Sequence, residues 1–122
     1  MKSLVFFLTL NLALFSIASV PDEVIKYVQG GNSSALSSYF TNPVEVCVPG
    51  KEGNFNKSEA EKMLKDFFTK YPCKSINIQH KGNTSNPTFF YILQYQSSIN
   101  FRVKIIFKTA AEKTSLSAIL IE

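Results

Sequence analysis

The stretch SEAEKMLKDFFTKYP, residues 58–72, decides the fold of this chain. Its apolar residues recur every three or four positions and form one stripe, as in a helix with one buried face. Ser58 and the glutamate three residues later have the spacing of a capping box, which predicts the helix start, and Pro72 ends the helix. The adjacent Phe67 and Phe68 widen the stripe, which favours packing against a sheet rather than against one other helix.

After this helix the apolar residues alternate with polar ones, which is the pattern of half-buried strands. Four such segments follow one another across short turns, at residues 76–80, 89–95, 101–107 and 116–120. Short turns between consecutive strands predict antiparallel hairpins.

Two shorter helices and one strand precede the long helix. Pro21 opens the first helix, glycines 30–31 end it, and Asn32 or Ser33 caps the second. Residues 44–48 alternate as a strand. The predicted order is therefore helix, helix, strand, helix and four antiparallel strands. This order predicts an α+β domain in which a curved antiparallel sheet wraps around the long helix.

The chain has 122 residues, a net charge of +4 and 45% hydrophobic residues, which is enough for one folded domain. Its N-terminus has Lys2, an apolar run over 4–15 and small residues before a cut after Ala18. This layout predicts a cleaved secretory signal peptide at residues 1–18 and a single domain over 19–122. No cysteine stands at the cut, so we expect a periplasmic or secreted protein without a lipid anchor or a membrane span.

Several classes of partner and cofactor find no support in the sequence. The basic residues are scattered and include one arginine, Arg102, which argues against nucleic-acid binding. Cys47, Cys73 and His80 lack the paired spacing of zinc ligands, so we expect no metal and no other cofactor. In an oxidising compartment the two cysteines could form a disulfide or remain separate thiols, and the sequence leaves both open.

Several segments are similar to an exported bacterial family, domain of unknown function 4783, of the nuclear transport factor 2-like (cystatin-like α+β) superfamily. The resemblance implies a cone in which a curved sheet wraps around a long helix, and it implies export. It implies no activity, because the family's own activity is unassigned. The segments are PDEVIKYVQGGN (21–32), VEVCVPGKEGNF (44–55), SEAEKMLKDFFTKYP (58–72), FRVKIIF (101–107) and LIE (120–122).

Relatives in the wider fold include isomerase-like and dehydratase-like enzymes that place an acidic or histidine base beside tyrosines inside the cone. Here His80 is the one candidate base, with Tyr91 and Tyr95 on the next strand and Phe67 and Phe101 lining the same candidate pocket. No carboxylate is placed to orient the imidazole, so a half-exposed histidine beside core tyrosines explains the pattern as well. We identify no catalytic set.

The opposite face of the strands is also apolar in part. Phe90, Ile92 and Ile106 alternate with the inward residues, and Lys104 and Lys108 stand at their edge, which predicts a partner or homodimer surface. Two functions remain open: a non-enzymatic module that binds a ligand or partner, as a homodimer through this surface, or a cone-pocket enzyme. A structural role in an envelope assembly is not separable from the first by sequence.

Overall fold

The computed structural model describes residues 19–122, which form three helices and one six-stranded sheet. The predicted signal peptide, residues 1–18, lies outside the described residues. Among the described helices, none is both long and apolar enough to cross a membrane. The elements are α1 (Val20–Gly30), α2 (Ser33–Ser37), β1 (Phe40–Val48), β2 (Lys51–Phe55), α3 (Lys57–Lys70), β3 (Ser75–Asn83), β4 (Thr88–Gln96), β5 (Asn100–Ala110) and β6 (Lys113–Ile121).

The sheet confirms the predicted α+β architecture and differs from the prediction in two places. Its strand order is β2-β1-β6-β5-β4-β3, and each consecutive pair of strands joined by a short turn is antiparallel, as predicted. However, β1 and β6 pair in parallel. These two strands are far apart in the chain, so the rule that short turns give antiparallel pairs does not apply to them.

Strand β2 is an element that the sequence interpretation missed. Its register pairs Lys51 with Val48 and Gly53 with Val46, so a lysine and a glycine occupy positions that face the core. The strand therefore lacks the alternation that revealed the others.

Helix α3 lies across the inner face of the sheet and buries one side. The predicted cap at Ser58 is wrong: Asn56 is the N-cap, and its side chain accepts a hydrogen bond of 2.8 Å from the Glu59 amide. Asparagine caps as well as serine does, and Phe55 directly before it already packs against the core, so the helix starts earlier. The buried residues of α3 are Ala60, Met63, Leu64, Phe67 and Phe68.

The first two helices end and begin where the sequence indicates. Gly31 closes α1 in the left-handed conformation with φ of 66°, and Asn32 caps α2. A Cβ atom on Gly31 would lie 3.3 Å from the Cβ of Phe68, so the turn approaches α3 closely. Glycine therefore serves both the turn and the packing of α1 and α2 against α3.

Candidate functional site

The inner face of the sheet holds the aromatic residues that the sequence suggested as a pocket. The ring of Phe67 lies 5.6 Å from that of Tyr95 and 5.0 Å from that of Phe101, measured between centroids. All three side chains are at most 6% exposed. The structure brings these three predicted pocket residues together, but their rings fill the space between α3 and the sheet as core.

Tyr95 has a structural role at the end of α3. Its hydroxyl donates a hydrogen bond to the main-chain carbonyl of Tyr71, the C-cap residue of α3. Burial raises the pKa of the Tyr95 phenol, so the group stays neutral and remains a donor. The hydroxyl thus satisfies one of the carbonyl groups that a helix leaves unpaired at its C-terminal end.

His80 does not join this cluster, because β3 contains a bulge. Ile78 pairs with Leu93, but the next registered pair is His80 with Ile92, so Gln79 is an extra residue. An extra residue reverses the alternation of side chains. The imidazole consequently lies on the outer face, exposed, with its ring centroid 5.7 Å from that of Phe90. The predicted grouping of His80 with Tyr91 and Tyr95 is corrected by this bulge.

Tyr91 stays on the inner side at the rim of the core. It is half-buried, its ring lies 5.7 Å from that of Phe107, and the ammonium of Lys81 stands 5.0 Å from its ring centroid. Tyr91 and His80 therefore face opposite sides of the sheet, and the arrangement offers no base beside a phenol.

The outer face brings together the three residues predicted as an interface. Phe90 pairs with Ile106 across β4 and β5, and Ile92 lies two residues along β4 on the same face. Phe90 and Ile106 are half-buried, whereas Ile92 is only 9% exposed. The exposed part of the patch is therefore carried by Phe90 and Ile106.

A glycine on the edge strand sets the position of Phe90. A Cβ atom on Gly82 would lie 2.5 Å from the Cζ of Phe90, so the phenyl ring lies directly over the bare backbone of β3. The ammonium of Lys104 is 4.8 Å from the ring centroid. The Phe90 ring is thus close both to the backbone of β3 and to a cation.

The apolar residues of the outer face continue onto β6, where Ala118 is only 2% exposed and Leu120 is half-buried. Register places Ala118 opposite Ile106 and Leu120 opposite Lys104, on the same outer face as Phe90. We call this set the outer stripe, and it comprises Phe90, Ile92, Ile106, Ala118 and Leu120.

The charged residues of the outer face divide by strand, with glutamates on β2, β1 and the end of β6 and basic residues on β5, where Lys104 lies between Ile92 and Leu120 of the outer stripe. The acidic half, carried by β2, β1 and the end of β6, comprises Glu45, Glu52 and Glu122, which line a groove of about 290 Å³ together with Leu120. The basic half, carried by β5, comprises Arg102, Lys104 and Lys108. The sequence interpretation noted the lysines and missed this division. The outward position of Glu45 in its alternating strand was the available signal.

The two cysteines are free thiols in the structure, so the disulfide that the sequence allowed is not formed there. Cys47 lies on the outer face, where its thiol donates to a Glu52 carboxylate oxygen at 3.6 Å. Cys73 follows α3 and donates to the carbonyl of Ser75 at 3.3 Å. Burial raises the pKa of both thiols, and for Cys47 the Glu52 carboxylate raises it further. Both groups are therefore protonated at neutral pH.

Within residues 19–122, no three His, Cys, Asp or Glu side chains gather as they would around a metal ion.

Solved structures place this fold among known proteins. A DUF4783 family protein from Bacteroides uniformis is 28% identical, with a TM-score of 0.77 over 85% of this chain and 96% of the other. A DUF4783 family protein from Bacteroides ovatus is 28% identical, with a TM-score of 0.75 over 84% of this chain and 93% of the other. The designed protein Rd1NTF2_04 with long sheet is 15% identical, with a TM-score of 0.65 over 84% and 95% of the two chains. The predicted nuclear transport factor 2-like fold is confirmed.

The family described as "Domain of unknown function (DUF4783)" matches residues 21–122. No curated protein matches the chain.

Proposed function

Since the chain belongs to the DUF4783 family, whose description states no activity, we propose a function from its own surface: a non-enzymatic binding module that forms a homodimer through the outer face of its sheet. The observation that carries the proposal is the partly exposed outer stripe, with basic residues on β5 within it and glutamates on β1 and β2 beyond its β6 end.

The apolar part of this face supports association with a protein. Phe90 and Ile106 are partly exposed neighbours on adjacent strands, and the stripe continues across β5 to Leu120. A contiguous apolar patch with a polar rim is typical of protein interfaces. An aromatic ring that is already fixed over Gly82 loses little conformational freedom when it is covered.

The charges favour a second copy of this chain as the partner. In a two-fold interface the same patch meets itself, so each residue on one side of the axis faces a residue from the other side in the second copy. A two-fold axis near β6, which separates the glutamates on β1 and β2 from β5, brings the acidic half of one copy, such as Glu45 and Glu52, toward the basic half of the other, such as Lys104. Such complementarity raises the association rate and fixes the orientation.

The alternative function, an isomerase-like or dehydratase-like enzyme that uses His80 with Tyr91 or Tyr95, has less support. These residues occupy opposite faces of the sheet, and Tyr95 is committed to the end of α3. A general base must reach the proton that it removes, within hydrogen-bond distance of a substrate pose that the other groups share.

The oligomeric state tests the proposal directly. We expect light scattering or sedimentation equilibrium to give a dimer at protein concentrations on the order of 100 µM. Ile106→Glu should give a monomer, because it places a charge in the apolar interface. The matched control is Ile99→Glu in the β4–β5 turn, where the isoleucine is 53% exposed and lies outside the outer stripe. This control should remain a dimer.

Charge reversal distinguishes a specific two-fold dimer from non-specific association through an apolar surface. Reversing the acidic half alone (Glu45→Lys with Glu52→Lys) or the basic half alone (Arg102→Glu with Lys104→Glu) should weaken the dimer. Combining both reversals should restore it. A wild-type monomer at these concentrations, or no rescue in the combined variant, contradicts the proposal.

The proposal also places the domain outside the cytoplasm, after removal of residues 1–18. The support is the basic start, the apolar run and the small residues before the cut. Mass spectrometry of protein recovered from the periplasm or medium should give a chain that begins at Ser19, and recovery of an intact N-terminus contradicts this part.

A further inference from the structure

A second surface, on the helical side of the sheet, has the features of a small-molecule site. It is a groove of about 230 Å³ between the β1–β2 turn and the second half of α3. Its lining residues are Val48, Pro49, Lys51, Met63, Asp66, Phe67, Lys70 and Tyr71. The sequence interpretation missed this groove, because it joins residues that are distant in the chain and that belong to the unpredicted β1–β2 hairpin.

The floor of the groove is apolar and rigid. Met63 and Phe67 are nearly fully buried, and Val48 and Tyr71 are half-buried. The ring of Tyr71 is held between Phe67 and Phe101, with centroid distances of 5.3 and 4.9 Å. An aromatic surface held in place before a ligand arrives reduces the entropy that binding must overcome.

The rim of the groove carries a cation without a carboxylate partner. The ammonium of Lys70 lies 5.4 Å from the ring centroid of Tyr71. The single ion pair among the described residues joins Lys51 to Glu59 at 3.9 Å, so it leaves Lys70 unpaired. Asp66 stands one helical turn before Lys70 without pairing with it, and it is the one acidic residue in the lining.

We propose that this groove binds small monocarboxylates with an apolar body, with the body on Tyr71 and Met63 and the carboxylate at Lys70. The volume limits the body to about the size of a phenylpropyl group, because drug-sized ligands occupy pockets above about 300 Å³. Lys51 contributes positive charge at the opposite rim. Its ammonium also pairs with the Glu59 carboxylate, so only part of that charge is available to a ligand. The inference goes beyond the proposed homodimer, since the groove lies on the other side of the sheet from the outer stripe.

The test is a titration of the purified protein followed by amide NMR, with 3-phenylpropionate and its uncharged analogue 3-phenylpropanamide at fixed ionic strength. We expect 3-phenylpropionate to shift the amide signals of residues 48–51 and 63–71 with a Kd on the order of 1 mM. The analogue should bind about fivefold more weakly, because it lacks the attraction of the ammonium.

Three variants identify the groups responsible. Lys70→Met keeps the length of the side chain and should reduce the affinity for 3-phenylpropionate to that for the amide or below it, because Asp66 remains. Asp66→Asn should raise the affinity for the carboxylate and leave that for the amide unchanged, because it removes a repulsion. The matched control is Lys62→Met, an exposed lysine on α3 that does not line the groove, and it should leave both affinities unchanged.

Equal binding of the carboxylate and the amide, saturable shifts confined to other residues, or no saturable shift up to about 20 mM overturns the proposal. An equal loss of carboxylate affinity in Lys62→Met and Lys70→Met also overturns the proposal, because it would indicate non-specific attraction to the positive charges of α3. Repeating the titration with Ile106→Glu separates the two proposals. The groove should bind equally well in that variant, whether or not the wild-type protein is a dimer.

Discussion

The inner and outer faces of β4, β5 and β6 are built from alternate residues of the same segments, yet among the described elements only the inner face is covered by a helix. On the inner face Leu93, Val103 and Ile105 are fully buried. On the outer face Phe90 and Ile106 are as apolar but only half-buried. The inner face has α3 as its cover, and the outer face has none among the described residues. The difference shows that one half of the alternation builds the core, while the other half carries the surface that we assign to binding.

The largest expected effect is on the inner face. Phe67→Ala should lower the free energy of unfolding by about 3–5 kcal/mol, because it leaves a cavity amid Tyr95, Phe101 and Tyr71. Urea denaturation monitored by circular dichroism measures this change in the free energy of unfolding. The matched variant on the outer face is Phe90→Ala, which should cost about 1–2 kcal/mol, because the ring is half exposed. Equal losses for the two variants would contradict the distinction between the faces.

A smaller effect is expected at the position where β3 approaches Phe90. Gly82→Ala puts a methyl group where the phenyl ring lies, so the ring must swing outward. We expect a loss of about 1 kcal/mol in unfolding free energy, with weaker dimerisation in sedimentation experiments.

The double variant Gly82→Ala with Phe90→Ala removes the clash, so the two losses should be less than additive. Gly30→Ala serves as the control, because no atom beyond its own helix backbone and chain neighbours lies within 4 Å of the added methyl group. Full additivity in the double variant would show that Phe90 does not lie over Gly82.

The smallest expected effect concerns the helix that covers the inner face. Asn56→Ala removes the side chain that accepts from the Glu59 amide and should cost about 1 kcal/mol in thermal or urea unfolding. Ser58→Ala should cost less than about 0.5 kcal/mol, since Ser58 lies inside the first turn. Neither change should alter the dimer, because both lie away from the outer face. A larger loss of stability for Ser58→Ala than for Asn56→Ala would support the capping box at Ser58 that the sequence predicted.

The parts of the fold that follow a period were predictable. The stripe from Ala60 to Phe68 located α3, and the alternation in 101–107 located the inner face of β5. The same alternation put Phe90, Ile92 and Ile106 on one outer surface. In each case the period alone determines which side chains share a face.

The features that the sequence did not predict depend on single residues or on contacts between segments that are distant in the chain. The bulge at Gln79 adds one residue to β3, leaves no periodic signal and moves His80 to the other face. The parallel pairing of β1 with β6 joins segments about 70 residues apart, which no local pattern reports. The groove at Lys70 exists only once the β1–β2 hairpin has folded against α3.

The strand that comes last along the chain lies in the interior of the sheet, because β6 separates β1 from β5. The strand pair β2-β1 and the three strands β5-β4-β3 are consequently not hydrogen-bonded to each other directly, and β6, residues 113–121, must pair with both to join them. Synthesis must therefore reach residue 121 before the long-range pairing of the sheet can be completed. Closure of the sheet is therefore the last step in the assembly of strands β1 to β6 during synthesis.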